Sequence, residues 1–170
     1  MADNITSHSE ESTQERGSTI SLSGSARLTM KSLVDSKLSA DNDDVPLFVQ
    51  EVEVFRFACM LGIRANGDTL VPLINEANSE TFINIGSLDS STATVSFTKT
   101  VEQLVPKARS QERFTRVLRR YAEWGLRHMQ EWHEQAQRQQ SVLQLDTLIE
   151  KSDTLIADHS KDKSLPLCAR

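Results

Sequence analysis

The sequence has few of the residues that mark specialised classes of protein. Its 170 residues include only two cysteines, Cys59 and Cys168, which lie far apart and provide no disulfide framework. No apolar run approaches the roughly 20 residues that a membrane-spanning helix requires. Residues 1–17 contain no apolar segment of the kind found in a secretory signal. These absences predict a soluble cytoplasmic protein that does not contact a membrane.

The sequence patterns of common enzyme and metal sites are also missing. There is no Walker glycine loop, no GxSxG or GxGxxG string, and no HExxH string or cysteine pair for zinc. His128 and His133 are five residues apart and would point in different directions from a helix, so they would not share a metal ion. We therefore expect no catalytic residues, no metal, no cofactor and no small-molecule substrate, and interpret the chain as a non-enzyme.

The hydrophobic pattern that is present is typical of a mainly helical α+β domain. The segment Thr19 to Leu22 alternates polar and apolar residues and predicts a strand, after which Ser23 or Ser25 can cap a first helix. Leu47 to Leu61 predicts a second helix. Two alternating segments, 81–85 and 93–97, predict a small antiparallel hairpin.

From about Ser110 the pattern is helical for nearly fifty residues. A glutamine-rich segment near residue 138 is either the solvated middle of one long helix or a break between a pair of helices. The predicted domain organisation is a disordered tail (1–17), a globular domain (18–134), a helical extension (135–160) and a frayed tail (161–170).

One stretch, "EVFRFACMLGIRANGD" (53–68), contains most of the second helix and the only cysteine within the globular domain. Cys59 lies near the C-terminal end of this helix, where the helix dipole disfavours a thiolate, so we predict a buried structural thiol. We expect Gly62 to end the helix in the left-handed conformation. Gly125, within the later helical pattern, indicates a close backbone approach, a kink, or the junction of two helices.

Charge is unevenly distributed along the chain. The net charge is −5, yet the segment 107–127 contains seven cations against two glutamates. Five of them follow helical steps of three, four and seven residues and so form a ridge: Arg109, Arg113, Arg116, Arg120 and Arg127. Arginine ridges bind phosphate groups through salt-sensitive contacts. Alternatively, the arginines pair with carboxylates of another element, such as Glu51 or Glu53. The predicted nucleic-acid-binding residues are Lys107, Arg109, Arg113, Arg116, Arg119 and Arg120.

The segment after residue 140 carries a further apolar stripe that so small a domain leaves without an obvious partner. Self-association, or docking on a larger protein subunit, is a natural use of such a stripe. The predicted partner-binding residues are Val142, Leu145, Leu148, Ile149, Leu155 and Ile156.

A strand followed by two helices is also the order of a ribbon-helix-helix module, a dimeric DNA-binding regulator in which strands of two chains pair and enter the major groove. In that arrangement Thr19, Ser21 and Ser23 would face bases while Ile20 and Leu22 would face the core. The strand contains no Arg, Lys or Asn, so this alternative has the shape of the module without its recognition chemistry.

Two strings resemble motifs of a known family. "VFRFACMLGIR" (54–64) and "YAEWGLRHMQEW" (121–132) are similar to segments of the small accessory proteins associated with Dnd DNA-phosphorothioation systems. The resemblance implies a non-catalytic accessory subunit of a bacterial DNA-modification or anti-phage defence complex. The alternative is an adaptor or regulator that contacts only proteins. The matching positions are Ala58, Leu61, Gly62, Ile63 and Arg64, then Tyr121, Ala122, Gly125 and Leu126.

Overall fold

The computed structural model describes residues 18–35, 37–39, 42–73, 79–89 and 94–164. Within these ranges the chain forms six α-helices and two small antiparallel sheets of two strands each, so the predicted mainly helical α+β class is confirmed. The predicted disordered tail (1–17) and residues 165–170 lie outside the described part of the chain.

The first unit is strand β1 (Thr19–Ser23) followed directly by helix α1 (Gly24–Val34). Alternation along β1 buries Ile20 and Leu22 in the core, as predicted. Ser23 caps α1, because its Oγ accepts a hydrogen bond from the backbone N–H of Ala26 at 3.3 Å. Ser23 is therefore buried at a helix terminus and does not face outwards with Thr19.

A short antiparallel hairpin, β2 (Lys37–Ser39) and β3 (Asn42–Pro46), leads into helix α2 (Glu51–Asn66). A capping box between Gln50 and Glu53 starts α2 later than the sequence pattern indicated. The prediction that Gly62 ends this helix is wrong. The helix continues to Asn66, and Gly67 takes the terminating role with φ 63° and an N–H bond to the Ile63 carbonyl at 2.7 Å.

The predicted hairpin between 81–85 and 93–97 is also wrong. Strand β4 (Ser79–Asn84) pairs antiparallel with β1, which precedes it by some sixty residues, and a 3₁₀ turn (Ile85–Leu88) follows it. The segment 94–96 leads into helix α3 (Phe97–Leu104), because Ser96 Oγ accepts the N–H of Lys99 and so caps a helix. The pairing also leaves β1 bonded within its own chain, unlike the strand of a ribbon-helix-helix module.

The C-terminal half contains the short helix α4 (Pro106–Gln111), the long helix α5 (Phe114–Arg138) and helix α6 (Leu145–Ser164). The glutamine-rich segment is a break between two helices, with Gln140 at φ 54°. α5 crosses the predicted domain boundary at residue 134, and α6 extends four residues into the predicted tail. The core lies mainly where α2 crosses α5, with α1 and β1 on one side, and α6 packs against α2.

Candidate functional site

The two strings that carry the family resemblance meet where α2 crosses α5. A Cβ placed on Gly62 of α2 would lie 2.4 Å from the carbonyl oxygen of Tyr121, and one placed on Gly125 of α5 would lie 2.1 Å from that of Ala58. Real Cβ atoms do not come this close, so the two glycines allow the backbones to touch. For Gly125, the close-approach alternative is therefore correct, and α5 continues through it.

Cys59 lies in the same crossing and is fully buried, which confirms the prediction of a structural thiol. Its Sγ lies 3.9 Å from the carbonyl oxygen of Leu118, to which it donates a weak hydrogen bond. Burial raises the pKa of the Cys59 thiol far above its usual range, so the side chain is a neutral packing group.

Tyr121 fastens the loop that follows α2. Its buried hydroxyl donates to the carbonyl oxygens of Gly67 and Thr69, at 2.9 Å and 3.0 Å. Burial, with the charge of Asp68 nearby, raises the pKa of Tyr121 to about 12. The phenol therefore remains a hydrogen-bond donor well above neutral pH.

Two of the six predicted nucleic-acid-binding residues are held inside the protein. Arg119 is buried, and its Nε donates to Glu123 Oε1 at 3.0 Å. The guanidinium of Arg120 donates to both carboxylate oxygens of Glu112 and to the carbonyl oxygen of Val71. The prediction that Arg120 lies on an exposed ridge is wrong, and Arg119 is not exposed for a contact with DNA, because glutamates nearby in the sequence pair with both arginines.

The other four predicted cations lie on α4 (Lys107 and Arg109) and at the start of α5 (Arg113 and Arg116). Lys107 and Arg113 are exposed, and Arg109 is partly buried. Arg116 pairs with Glu112 at 2.9 Å while 47 % of its side chain stays exposed. The first turn of α5 contains no acidic residue, and its N-cap residue Arg113 makes no side-chain capping bond. The positive end of the helix dipole therefore adds to these cations.

The predicted partner-binding stripe is divided between core and surface. Leu148 is fully buried, so the expectation that nothing covers the stripe is wrong at that position, because α6 folds back against α2. Leu145 and Ile149 are one turn apart and are 40 % and 47 % exposed. The partly buried members are Val142, Leu155 and Ile156.

Aromatic and histidine rings hold α6 against α5. The ring of Trp124 on α5 lies 4.3 Å from that of His128 and 5.3 Å from that of His159 on α6, measured between centroids. Nε2 of His128 is buried and has no hydrogen-bond partner within the described residues. Burial lowers the pKa of His128, the charges of Arg127 and His159 lower it further, and Glu131 opposes them.

Glu123 is a buried carboxylate that connects α5 to the start of α1. Its side chain is 2 % exposed, and its Oε1 accepts from the backbone N–H of Ser23 at 2.8 Å as well as from Arg119. Its other oxygen, Oε2, is buried and accepts no hydrogen bond from the described part of the chain. A charged oxygen in this state is costly unless a bound donor satisfies it.

Several of these residues were not found from the sequence. Trp124, His128 and Trp132 lie four residues apart in turn, so helical spacing alone places them on one face of α5. Their contact with His159 depends on how α6 folds back, which no local pattern specifies. From the sequence, Glu123 was noticed only as one of the two glutamates within the cation-rich segment 107–127.

Two findings concern what the described residues do not contain. No helix among them is both long and apolar enough to cross a membrane. Within the same ranges no three His, Cys, Asp or Glu side chains are grouped so that they could hold a metal ion.

No family model, curated protein or solved structure matches this chain. What the chain does must therefore be inferred from its own residues.

Proposed function

We propose that this protein is a non-catalytic accessory subunit of a bacterial DNA-modification or anti-phage defence complex, acting in the cytoplasm and contacting DNA backbone. The observation that carries the DNA contact is the group of cations on α4 and at the start of α5, hereafter the α5 cation group. It consists of Lys107, Arg109, Arg113 and Arg116.

Three properties of the α5 cation group suit a phosphate backbone. Its members lie within ten residues of one another on two consecutive helices, so their charges are concentrated in one short segment. The first turn of α5 has no side-chain cap from Arg113 and no acidic residue, so the positive end of a long helix dipole adds to the group. Two carboxylates lie close by and do not neutralise the whole group, because Glu112 is shared between Arg116 and the inward-facing Arg120. The other, Asp68, accepts the backbone N–H groups of Lys107 and Ala108.

Titration of an unrelated DNA duplex at two salt concentrations tests this proposal. The variant Lys107→Gln, Arg113→Gln, Arg116→Gln removes three exposed cations of the group. A matched control, Arg64→Gln, Lys99→Gln, Arg138→Gln, removes three exposed cations from other helices. We expect the wild type and the control to bind weakly and with a steep salt dependence. The first variant should lose about one unit of the log–log salt slope for each cation removed.

Absence of binding by the wild type at low salt would overturn the DNA contact. Equal loss of binding in both variants would also overturn it, because net charge rather than the α5 cation group would then account for the affinity.

The defence setting is supported only by the resemblance of the strings at the helix crossing to the Dnd-associated accessory proteins. Deletion of the gene in its host tests it through the phosphorothioate content of genomic DNA and through resistance to phage. We expect at least one of the two to fall and to be restored by the wild-type gene. If neither changes, the proposed setting is wrong.

A second candidate function, a protein-only adaptor, is favoured by the exposed apolar pair Leu145 and Ile149 on α6. Its partner would be a larger subunit or a second copy of this chain. Self-association is tested by sedimentation of the wild type and of the variant Leu145→Gln, Ile149→Gln. A concentration-dependent mass that the variant abolishes supports this candidate. A wild type that stays monomeric at all concentrations excludes the homo-oligomer.

A further inference from the structure

The exposed side of the first half of α6 combines apolar and acidic side chains. At about 100° per residue, five exposed positions lie within an arc of about 140° on the helix, hereafter the α6 acidic face. They are Leu145, Asp146, Ile149, Glu150 and Asp153. None of the three carboxylates forms an ion pair with another residue that the structure describes. The cation within this stretch, Lys151, instead donates to Gln135 Oε1 of α5 at 2.8 Å.

The α5 cation group has the opposite charge and a similar mixture of chemistry. The segment 99–116 around it contains five cations against two glutamates. Lys107 and Arg113 are exposed, and neither forms an ion pair within the described part of the chain. Leu104 and Pro106, which precede Lys107 directly, are also exposed. Apolar surface therefore accompanies the charges here, as it does on α6.

These two surfaces are too far apart to meet within one chain. The bond from Lys151 to Gln135 and the ring contact of His159 with Trp124 show that α6 runs back along α5. The α6 acidic face therefore lies beside the C-terminal end of α5, and the α5 cation group lies at its other end. Arg116 and Gln135 are separated by about 28 Å along the helix. This distance is several times the Debye length of about 10 Å at 0.1 M salt.

We propose that copies of this chain associate head to tail, with the α6 acidic face of one copy on the α5 cation group of the next. The three carboxylates pair with Lys107, Arg113 and their neighbours, and the exposed apolar side chains of both surfaces fill the centre of the contact. The contact joins two different surfaces, so each pair of copies leaves one of each kind unused, and association continues beyond a dimer.

This inference rests on the self-association of the second candidate function and names the surface that receives α6. It does not rest on the DNA contact. Because DNA would need the same cations, a copy that holds a neighbour on its α5 cation group cannot hold DNA there.

Sedimentation of the full chain tests the proposal with two variants. The acid variant keeps the α5 cation group and carries Asp146→Asn, Glu150→Gln and Asp153→Asn. The cation variant keeps the α6 acidic face and carries Lys107→Gln, Arg113→Gln and Arg116→Gln. We expect the wild type to associate beyond a dimer at 50 mM salt, with a dissociation constant on the order of 100 µM for each contact, as suits a small interface. At 500 mM salt the association should be at least about tenfold weaker.

The decisive measurement is the mixture of the two variants. Each variant alone should remain monomeric, because each lacks one of the two surfaces. An equimolar mixture should form a one-to-one heterodimer and nothing larger, which also shows that both chains are folded. The matched control Asp35→Asn, Glu80→Gln, Glu102→Gln removes three exposed carboxylates from other elements and should associate as the wild type does.

The other outcomes overturn the proposal in distinguishable ways. A wild type that stays monomeric overturns both this inference and self-association as such. If the cation variant alone still associates and the acid variant does not, the α6 acidic face pairs with itself. The second candidate function then stands and the head-to-tail contact is wrong. A mixture that stays monomeric, with both variants folded by circular dichroism, shows that the two surfaces do not meet.

Discussion

At the scale of single residues, the decisive positions are the two glycines of the helix crossing. Gly62 and Gly125 each face a backbone carbonyl of the opposite helix at a distance that leaves no room for a methyl group. The carbonyls belong to Tyr121 and Ala58, so each helix contributes one glycine and one carbonyl. This reciprocal contact sets the spacing of α2 and α5, around which the core is built.

Gly125→Ala should destabilise the protein by about 1–3 kcal/mol or more, because the added methyl group must push the two helices apart. Chemical denaturation at constant pH measures the change. Gly24→Ala is the matched control, since a Cβ there meets nothing within 4 Å, and it should leave the stability unchanged or slightly raised. Equal stability of the two variants would contradict the close crossing.

Tyr121 gives a second prediction at this scale because it is the only tyrosine in the chain. Tyrosinate absorbance should show a midpoint at about pH 12 in the folded protein, against about 10 in the unfolded chain. Since folding raises this pKa, the stability that it contributes is present below about pH 10 and is lost as the pH rises through about 12. Tyr121→Phe should remove the signal and cost about 1 kcal/mol. A folded-state midpoint near 10 would contradict the buried hydroxyl.

At the scale of elements, α6 contacts α5 through ring side chains that both helices contribute. Trp124, His128 and His159 form one cluster between α5 and α6, and burial lowers the pKa of His128 and so disfavours its charged form. Protonation would place a second positive charge next to Arg127 and against His159. The association of these two helices is therefore sensitive to acid.

We expect α6 to exchange its amide hydrogens faster as the pH falls below about 6.5, after correction for the intrinsic exchange rate. The pKa of His128 is lowered on folding, so the unfolded chain binds the proton more readily and stability is lost as the pH falls. The variant His128→Gln should flatten this dependence. Unchanged protection of α6 in acid would contradict the prediction.

The sequence predicted those elements whose pattern is long and regular. The stripe on α5, from Phe114 to Met129, is buried as its helical period required. The strand predicted over 93–97 is wrong because a stretch of five alternating residues is typical of a strand, while Ser96 within it is equally typical of the residue that caps a helix. Gly62 misled because a glycine can stop a helix or admit a neighbour, and the choice depends on Gly125 sixty-three residues later. Of the candidate sites, the cations were visible in the sequence, but the inward turn of Arg119 and Arg120 depends on the final positions of their glutamates.

At the scale of the whole molecule, α6 is part of the core and not an appendage. Leu143 and Leu148 are fully buried, and α6 packs against α2 near the start of the same core. The domain therefore includes the segment that the sequence pattern set apart as an extension. On α6, the large apolar side chains of Leu145 and Ile149 remain exposed.

Removal of residues 139–170 should therefore destabilise the domain and expose apolar surface. Each of Leu143 and Leu148 contributes about 2 kcal/mol or more, a large part of the stability of an ordinary domain. Thermal unfolding and binding of an apolar dye measure the effect. The full-length variant Leu145→Gln, Ile149→Gln should keep its stability within about 0.5 kcal/mol. A shortened chain that unfolds at the wild-type temperature would contradict the assignment of α6 to the core.

The burial of Cys59 at the helix crossing has a practical consequence. Its thiol can meet an alkylating reagent only when α2 and α5 separate, which requires the core to open. In a chain in which Cys168 is replaced by serine, the rate of alkylation would report the population of the globally open state under native conditions. Alkylation of Cys59 would thus measure how often the whole fold opens.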